Sequence, residues 1–280
     1  MPATELALRF AYDGSAFESY ARQPGRRTVE GALLEALGHE GLLAGSWRTG
    51  SRTDAGVSAL ENVARCALGR PHLKGLLPAL QRHLPDGVWV TGAVSPPDGF
   101  DPRRAAWRQY AYLAVPDGED VARMRTACDA FVGRHDVRAF ARVEAGRSPQ
   151  RTVLGFATEE ADGLWRFTVR GESFLWNQVR RMVAAVLAVG RGEADEADIR
   201  GALRTGKPHR RFGLAPPEGL LLEQVHYDGL RWADEMGPMP EAGPQSALVE
   251  GHTRLAVAKH VRAIASPAGT ARTAGSGDGP

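Results

Sequence analysis

Apolar and polar positions alternate over residues 5–12, with Leu6, Leu8 and Phe10 set against Ala7, Arg9 and Ala11, and this period of two predicts a strand. Thr28 stands as a cap before Val29, Leu33, Leu34 and Leu37, whose spacing predicts a helix with Glu30 and Glu35 on its polar side. Strands are expected at 46–53 and 62–68. Pro71 is placed to open a helix that carries Leu73, Leu76, Leu77, Leu80 and Leu84, and 87–95 reads as a strand through Val88, Val90 and Val94. The second half repeats the order. A strand over 107–115 precedes a helix over 119–132. Two strands, 151–159 and 164–170, flank Asp162-Gly163 as a hairpin. A strongly apolar helix follows at 174–189, a shorter helix at 193–203, and a last strand at 220–227.

Strand, helix, strand, strand, helix, strand, given twice, predicts an α+β fold of two ferredoxin-like βαββαβ halves, with antiparallel sheets flanking a central cleft. Such sheets leave one face covered by helices and one open to a ligand. The expected boundaries are 1–105 for the first half, 106–232 for the second, and 233–280 for a tail. Pro238, Pro240 and Pro244 mark a linker in the tail, a helix is expected over 246–264, and a disordered end over 265–280.

A chain of 280 residues with 43% hydrophobic and 24% charged positions can bury a core, which excludes a disordered polypeptide. No apolar run reaches the roughly 20 residues of a membrane helix, and the first residues do not read as a signal peptide, so a cytoplasmic protein is expected. Cys66 and Cys128 alone supply neither a disulfide framework nor a structural zinc site. The net charge is only +2, yet nearly all basic residues are arginine, Lys74, Lys207 and Lys259 being the only lysines. Codon bias accounts for such a preference, and so does phosphate recognition by planar guanidinium groups. Between Ile199 and Pro217 stand Arg200, Arg204, Lys207, Arg210 and Arg211 without one acid.

Three places carry candidate chemistry. In the loop Gly50 to Val57, Arg52 and Asp54 stand two apart among small residues, so an extended segment presents both on one face. An Asp-Ala-Gly turn in which Asp54 caps its own loop fits the same string. In the apolar helix, Arg180 and Arg181 are the only charges; a buried guanidinium needs a carboxylate, for which Asp54 is a candidate, whereas an arginine at the helix edge reaches water. On the strand 107–115, Tyr110 and Tyr112 share a face opposite Gln109 and Ala111, where an aromatic ring serves as a stacking surface for a base or as core.

Together these segments resemble the tRNA pseudouridine synthase A family. The resemblance rests on A-Y-D-G-S at 11–15 with Phe17, T-V-E-G at 28–31, S-R-T-D-A-G-V-S at 51–58, R-Q-Y-A-Y at 108–112, S-F-L-W-N-Q-V-R-R-M at 173–182 and A-P-P-E-G-L at 215–220. They occur in the family's order and span residues 5 to about 228. Ser51 and Ser58, where many bacterial members carry Gly and His, are closer to the archaeal branch; Glu18-Ser19-Tyr20-Ala21 departs from the usual pattern after Phe17. The resemblance implies isomerisation of uridine to pseudouridine at tRNA positions 38, 39 and 40, with the target base flipped out of its stack. It implies no metal and no other cofactor. Asp54 matches the catalytic aspartate, acting as nucleophile or base, and Arg180 the arginine that pairs with it and keeps it ionised. Tyr110 matches the tyrosine that stacks on the flipped base and acts at C5. Arg52 is expected to hold the extruded nucleotide. Arg210 and Arg211, with Arg200, Arg204, Lys207, Arg22, Arg26 and Arg27, are the expected phosphate contacts. tRNA and a second copy of the chain are the expected partners, with no DNA and no membrane. Three other readings are an RNA-binding module without chemistry, a hydrolase with a carboxylate nucleophile, and a synthase with another RNA target. The second lacks the second acid such a hydrolase needs.

Overall fold

The computed structural model describes residues 4–69, 75–207 and 210–232; the expected linker, helix and tail beyond 233 lie outside them, as do Pro71 and Leu73. The first half runs β1 (Thr4–Tyr12), α1 (Val29–His39), β2 (Leu43–Thr49), β3 (Ser58–Leu68), α2 (Leu76–Gln81) and β4 (Val88–Val94). The second runs β5 (Trp107–Ala114), α3 (Val121–Asp129), β6 (Gly133–Asp136), β7 (Gln150–Ala161), β8 (Leu164–Gly171), α4 (Gln178–Gly190), α5 (Glu196–Thr205) and β9 (Leu220–His226).

Local chemistry explains most boundaries. The Thr28 hydroxyl accepts the Gly31 N–H at 3.1 Å and starts α1, and the Asp120 carboxylate accepts from Ala122 and Arg123 and starts α3. Asp195 and Asp198 form a reciprocal capping box before α5, which moves its start three residues past the expected one. Asp162 and Gly163 both take positive φ, 52° and 74°, as a two-residue hairpin turn between twisted strands requires.

The strands form one sheet in the order β4-β1-β3-β9-β5-β8-β7-β6, with β2 also on β3. This corrects the expectation of two sheets beside a cleft. The join has a simple cause. β2 stops at Thr49, short of the expected 46–53, and pairs only with the far part of β3, up to Ala64. The start of β3 is left as an edge, and β9 fills it in parallel, Ser58 opposite Leu221 and Ala59 opposite Leu222. Every other pairing between the named strands is antiparallel.

One large core lies between the sheet and the helices. It holds Leu6, Leu8, Phe10 and Tyr12 of β1, Tyr110 and Tyr112 of β5, Phe167 and Val169 of β8, and the apolar faces of α1 and α4. On the opposite side of the alternation, Ala11, Ala111 and Leu221 form a small separate cluster. Among the described residues no helix is long and apolar enough to cross a membrane.

Candidate active site

The loop from Gly50 to Val57 leaves β2 and returns at the start of β3, where the two halves join. Buried groups hold it in place. Gly50 donates its N–H to the Val63 carbonyl at 2.8 Å, and a Cβ on it would lie 2.5 Å from the Tyr227 hydroxyl. The Asn62 side chain donates to the Ser51 carbonyl at 2.8 Å, and the Thr53 hydroxyl bonds that of Tyr12 at 2.8 Å. At the far end, Ser58 Oγ accepts the Gly14 N–H at 3.0 Å, and Gly14 packs so closely that a Cβ would sit 2.3 Å from the Val57 carbonyl oxygen.

Asp54 stands at the crest of this loop, with a little over a quarter of its side chain exposed. Its Oδ2 receives Arg180 Nη1 at 2.8 Å, 126 residues away in sequence. Arg180 is buried and makes two further bonds: Nε donates to the Ala215 carbonyl at 2.7 Å, and Nη1 also reaches Asn177 Oδ1 at 3.2 Å. Of the two adjacent arginines, Arg180 is therefore the enclosed one, and Arg181 is half-buried.

The start of α4 explains how Arg180 is aimed. The expected helix from 174 begins instead at Gln178, because Asn177 adopts the left-handed conformation (φ 62°) and the Trp176 carbonyl accepts the Arg142 N–H at 2.9 Å. Phe174, freed from the helix, packs edge-on against Tyr110 with ring centres 5.4 Å apart.

Tyr110 lies on the helix-covered face of β5 and is buried. Burial pushes its hydroxyl above the ordinary range of a phenol; the Arg108 charge and a hydrogen bond with Ser51 act against this, and Asp54 adds to the upward push. Asp54, Arg180 and Tyr110 are thus brought to one place, at the seam of the sheet. Arg52 is exposed beside them.

A family model described as tRNA pseudouridine synthase matches residues 127–228. A tRNA pseudouridine synthase A of Thermococcus kodakarensis is 42% identical over 247 residues, 83% of this chain and 89% of that protein. One of Methanoculleus marisnigri is 40% identical over 254 residues, 88% of this chain and 90% of that protein. The chain belongs to the tRNA pseudouridine synthase A family, a family of isomerases. A solved Cbf5–Nop10–Gar1 complex covers 65% of this chain and 54% of its own at 15% identity and a TM-score of 0.34, a likeness too slight to speak to the fold.

The segments that carry the likeness to the tRNA pseudouridine synthase A family are separated in sequence and converge in space. Gly14 meets Val57, and Gly56 lies 3.4 Å from Pro217 and Glu218 as measured from a Cβ built on it. Gly219 packs against the Tyr112 ring, where a Cβ would come within 2.5 Å. In the departing stretch after Phe17, Tyr20 is buried and bonds the Thr49 hydroxyl at 2.8 Å, so it supports β2.

The basic residues sort differently from their order in the chain. Arg200 is paired with Glu196 one turn earlier, and Arg210 is tied to the Glu193 carbonyl and to Asp198 at 3.4 Å. The acids absent from 199–217 are thus supplied from just before it. Arg204, Lys207 and Arg211 are exposed. Arg26 lies 3.9 Å from Glu18, and Arg27 donates to the Asp86 carbonyl and covers the Phe17 ring.

Arg108, Asn62 and Asn177 were not singled out from the sequence for the roles they take here. For Arg108 a signal was present: the alternation that puts Tyr110 and Tyr112 on one face puts Arg108 there too, a charge on a buried face. For Asn177 there was none, because its neighbours continue a helical pattern.

Proposed function

We propose that this chain converts uridine to pseudouridine in tRNA, at positions 38, 39 and 40 of the anticodon stem and loop. The observation that carries the reading is the ion pair between Asp54 and Arg180, made across the two halves at 2.8 Å. A module that only held RNA would gain nothing from a carboxylate facing an anionic ligand. In the reaction the bond from C1′ to N1 breaks, the uracil turns, C5 bonds to C1′, and the C5 proton leaves. Asp54 acts as nucleophile toward the sugar carbon or as base toward a sugar proton, and Arg180 orients its carboxylate. Tyr110 faces the uracil and receives the C5 proton. Arg52, exposed beside Asp54, holds the nucleotide out of its stack, as an enzyme acting on a paired base requires.

Arg204, Lys207 and Arg211 contact tRNA phosphates, and a second copy of the chain shares each tRNA in the cytoplasm. The halves 1–105 and 106–232 act as ferredoxin-like units; the strand orders β4-β1-β3-β2 and β9-β5-β8-β7 support this, with β6 an addition at the edge.

The test is tritium release from tRNA labelled at C5 of uridine, with the modified positions mapped by carbodiimide and primer extension. The wild-type chain is expected to release tritium and to mark positions 38–40, and Asp54→Asn to bind tRNA without release. Release by purified Asp54→Asn above a buffer control would overturn the role of Asp54, and marks elsewhere would overturn the positions.

A further inference from the structure

Arg108 is a buried charge that the reaction as described does not use. It stands on β5, 6% exposed, on the face that carries Tyr110. Four of its five N–H groups have acceptors. Nε donates to Ser51 Oγ at 3.0 Å, Nη1 to the Glu172 carbonyl at 2.8 Å, and Nη2 to the carbonyls of Gly50 at 3.1 Å and Arg103 at 2.9 Å. Among the described residues it forms no ion pair. A guanidinium so enclosed is costly to desolvate, and an apolar side chain of like volume would fill the space at no such cost.

The acceptors show what the charge holds. Gly50 and Ser51 open the loop that carries Asp54. Glu172 lies in the segment that leads to Phe174 and to α4, which carries Arg180. Tyr110 stands two residues along the same strand. The Ser51 hydroxyl accepts from Arg108 Nε at 3.0 Å and acts on the Tyr110 hydroxyl in favour of the phenolate, so it links charge and phenol. With the arginine on one lone pair, its own O–H is free to point at a phenolate oxygen.

We propose that Arg108 is a positioning residue that acts through Ser51, fixing the loop of Asp54 and stabilising Tyr110 in the phenolate form that accepts the C5 proton. The step balances. Tyr110 first loses its proton to solvent. The C5–H bond then breaks, its electron pair forms the C5–C6 double bond, the C6–N1 π pair moves onto N1, which takes a proton from solvent, and the C5 proton passes to the Tyr110 oxygen. Burial and the Asp54 charge disfavour the phenolate and hold the Tyr110 hydroxyl above the ordinary range, and Arg108 and Ser51 act against them. The proposal rests on the reading of Tyr110 as the group that acts at C5.

The experiment is single-turnover tritium release at saturating full-length enzyme, from about pH 6 to pH 10, for wild type, Ser51→Ala, Arg108→Lys, Arg108→Met and Tyr110→Phe. A base must be ionised, so the rate rises with pH toward the pKa of the group. Ser51→Ala is expected to move that rise up by about one pH unit, a tenfold loss at neutral pH, with tRNA affinity unchanged. Arg108→Met is expected to lose roughly 100-fold, and Arg108→Lys to recover part of it. If Tyr110→Phe is impaired while Ser51→Ala and Arg108→Lys keep the wild-type rate and profile, the proposal is overturned and the reading of Tyr110 stands. If Tyr110→Phe itself keeps the wild-type rate and profile, the reading of Tyr110 fails, and the proposal with it. Should Arg108→Met fail to fold, Ser51→Ala and Arg108→Lys decide the matter.

Discussion

Replacing Arg180 by methionine removes three hydrogen bonds and one charge from a buried position, and the structure sets the size of the effect. The buried Ala215 carbonyl loses its 2.7 Å donor, at roughly 1–3 kcal/mol for an acceptor left without a partner. Asp54 also loses its partner. Its side chain is 27% exposed, so water recovers part of the loss, and about 1 kcal/mol is assigned to it. Methionine keeps the apolar packing of the stem. The sum is roughly 2–4 kcal/mol, which for a folded unit of this size lowers Tm by roughly 5–15 °C. Asp54→Asn is a milder change. The amide oxygen can still accept from Arg180, and the other two bonds of Arg180 are intact, so about 1 kcal/mol is expected.

Thermal unfolding of wild type, Asp54→Asn, Arg180→Met and the double variant measures the pair directly. A coupling of about 1–2 kcal/mol is expected, the double variant costing less than the sum of the single ones. Single-turnover tritium release should collapse in both single variants, since one lacks the carboxylate and the other its orientation. Strict additivity in stability would refute the reasoning, because it would mean that the two groups do not interact in solution. So would an Asp54→Asn variant as unstable as Arg180→Met.

Three further outcomes are expected. Arg211→Ala should reduce the slope of log affinity against log salt by about one unit while Arg210→Ala, tied to Asp198, leaves it unchanged; equal slopes for wild type and Arg211→Ala would remove Arg211 from the phosphate contacts. All five tyrosines are buried with the phenol pKa raised, burial being the largest cause for each. The folded pKa lies above the unfolded one, so this contribution to stability is fully present below pH 10 or so and is lost as pH climbs toward the folded values. Phenolate absorbance should therefore stay low in the folded protein near pH 10 and rise mainly with unfolding; a reversible folded-state titration of several tyrosines near pH 10 contradicts this. Gly14→Ala should cost about 1–3 kcal/mol and reduce turnover, because the new methyl group meets the Val57 carbonyl and pushes the loop that holds Asp54; wild-type stability and rate together would show that Gly14 does not brace it.

What the sequence made legible was whatever local chemistry controls. β1, α1 and the hairpin of β7 and β8 follow from alternation, from the Thr28 cap and from Asp162-Gly163, each decided within a few residues. β6, Gly133–Asp136, gave no signal because Gly-Arg-His-Asp has no apolar period, and its pairing with β7 alone makes it a strand. The early helix start at 174 failed for a tertiary reason. Phe174 to Trp176 continue the apolar pattern of α4, but Phe174 is claimed by Tyr110 and the Trp176 carbonyl by Arg142. The stretch 199–217 reads as free of acids, yet Arg200 and Arg210 pair with Glu196 and Asp198, which stand just before it. The join of β3 to β9 was illegible, since it depends on where β2 stops.

The placement of the ion pair has a consequence for folding as well as for chemistry. Arg180 belongs to the second half, on α4, and is buried there with both halves in place. Without the first half its guanidinium would keep only the Ala215 carbonyl and the Asn177 side chain, a charge with no carboxylate partner. Asp54 belongs to a loop whose ends are held by Asn62 and Ser58 of β3, and β3 offers an unfilled edge unless β9 is beside it. Each half therefore completes what the other leaves open: one supplies the edge and the carboxylate, the other the strand and the cation. Pairing in the wrong register would separate Asp54 from Arg180 and strand both. The contact between Asp54 and Arg180 thus also favours the docking in which β9 lies beside β3, and the pair is assembled only when the sheet is closed there.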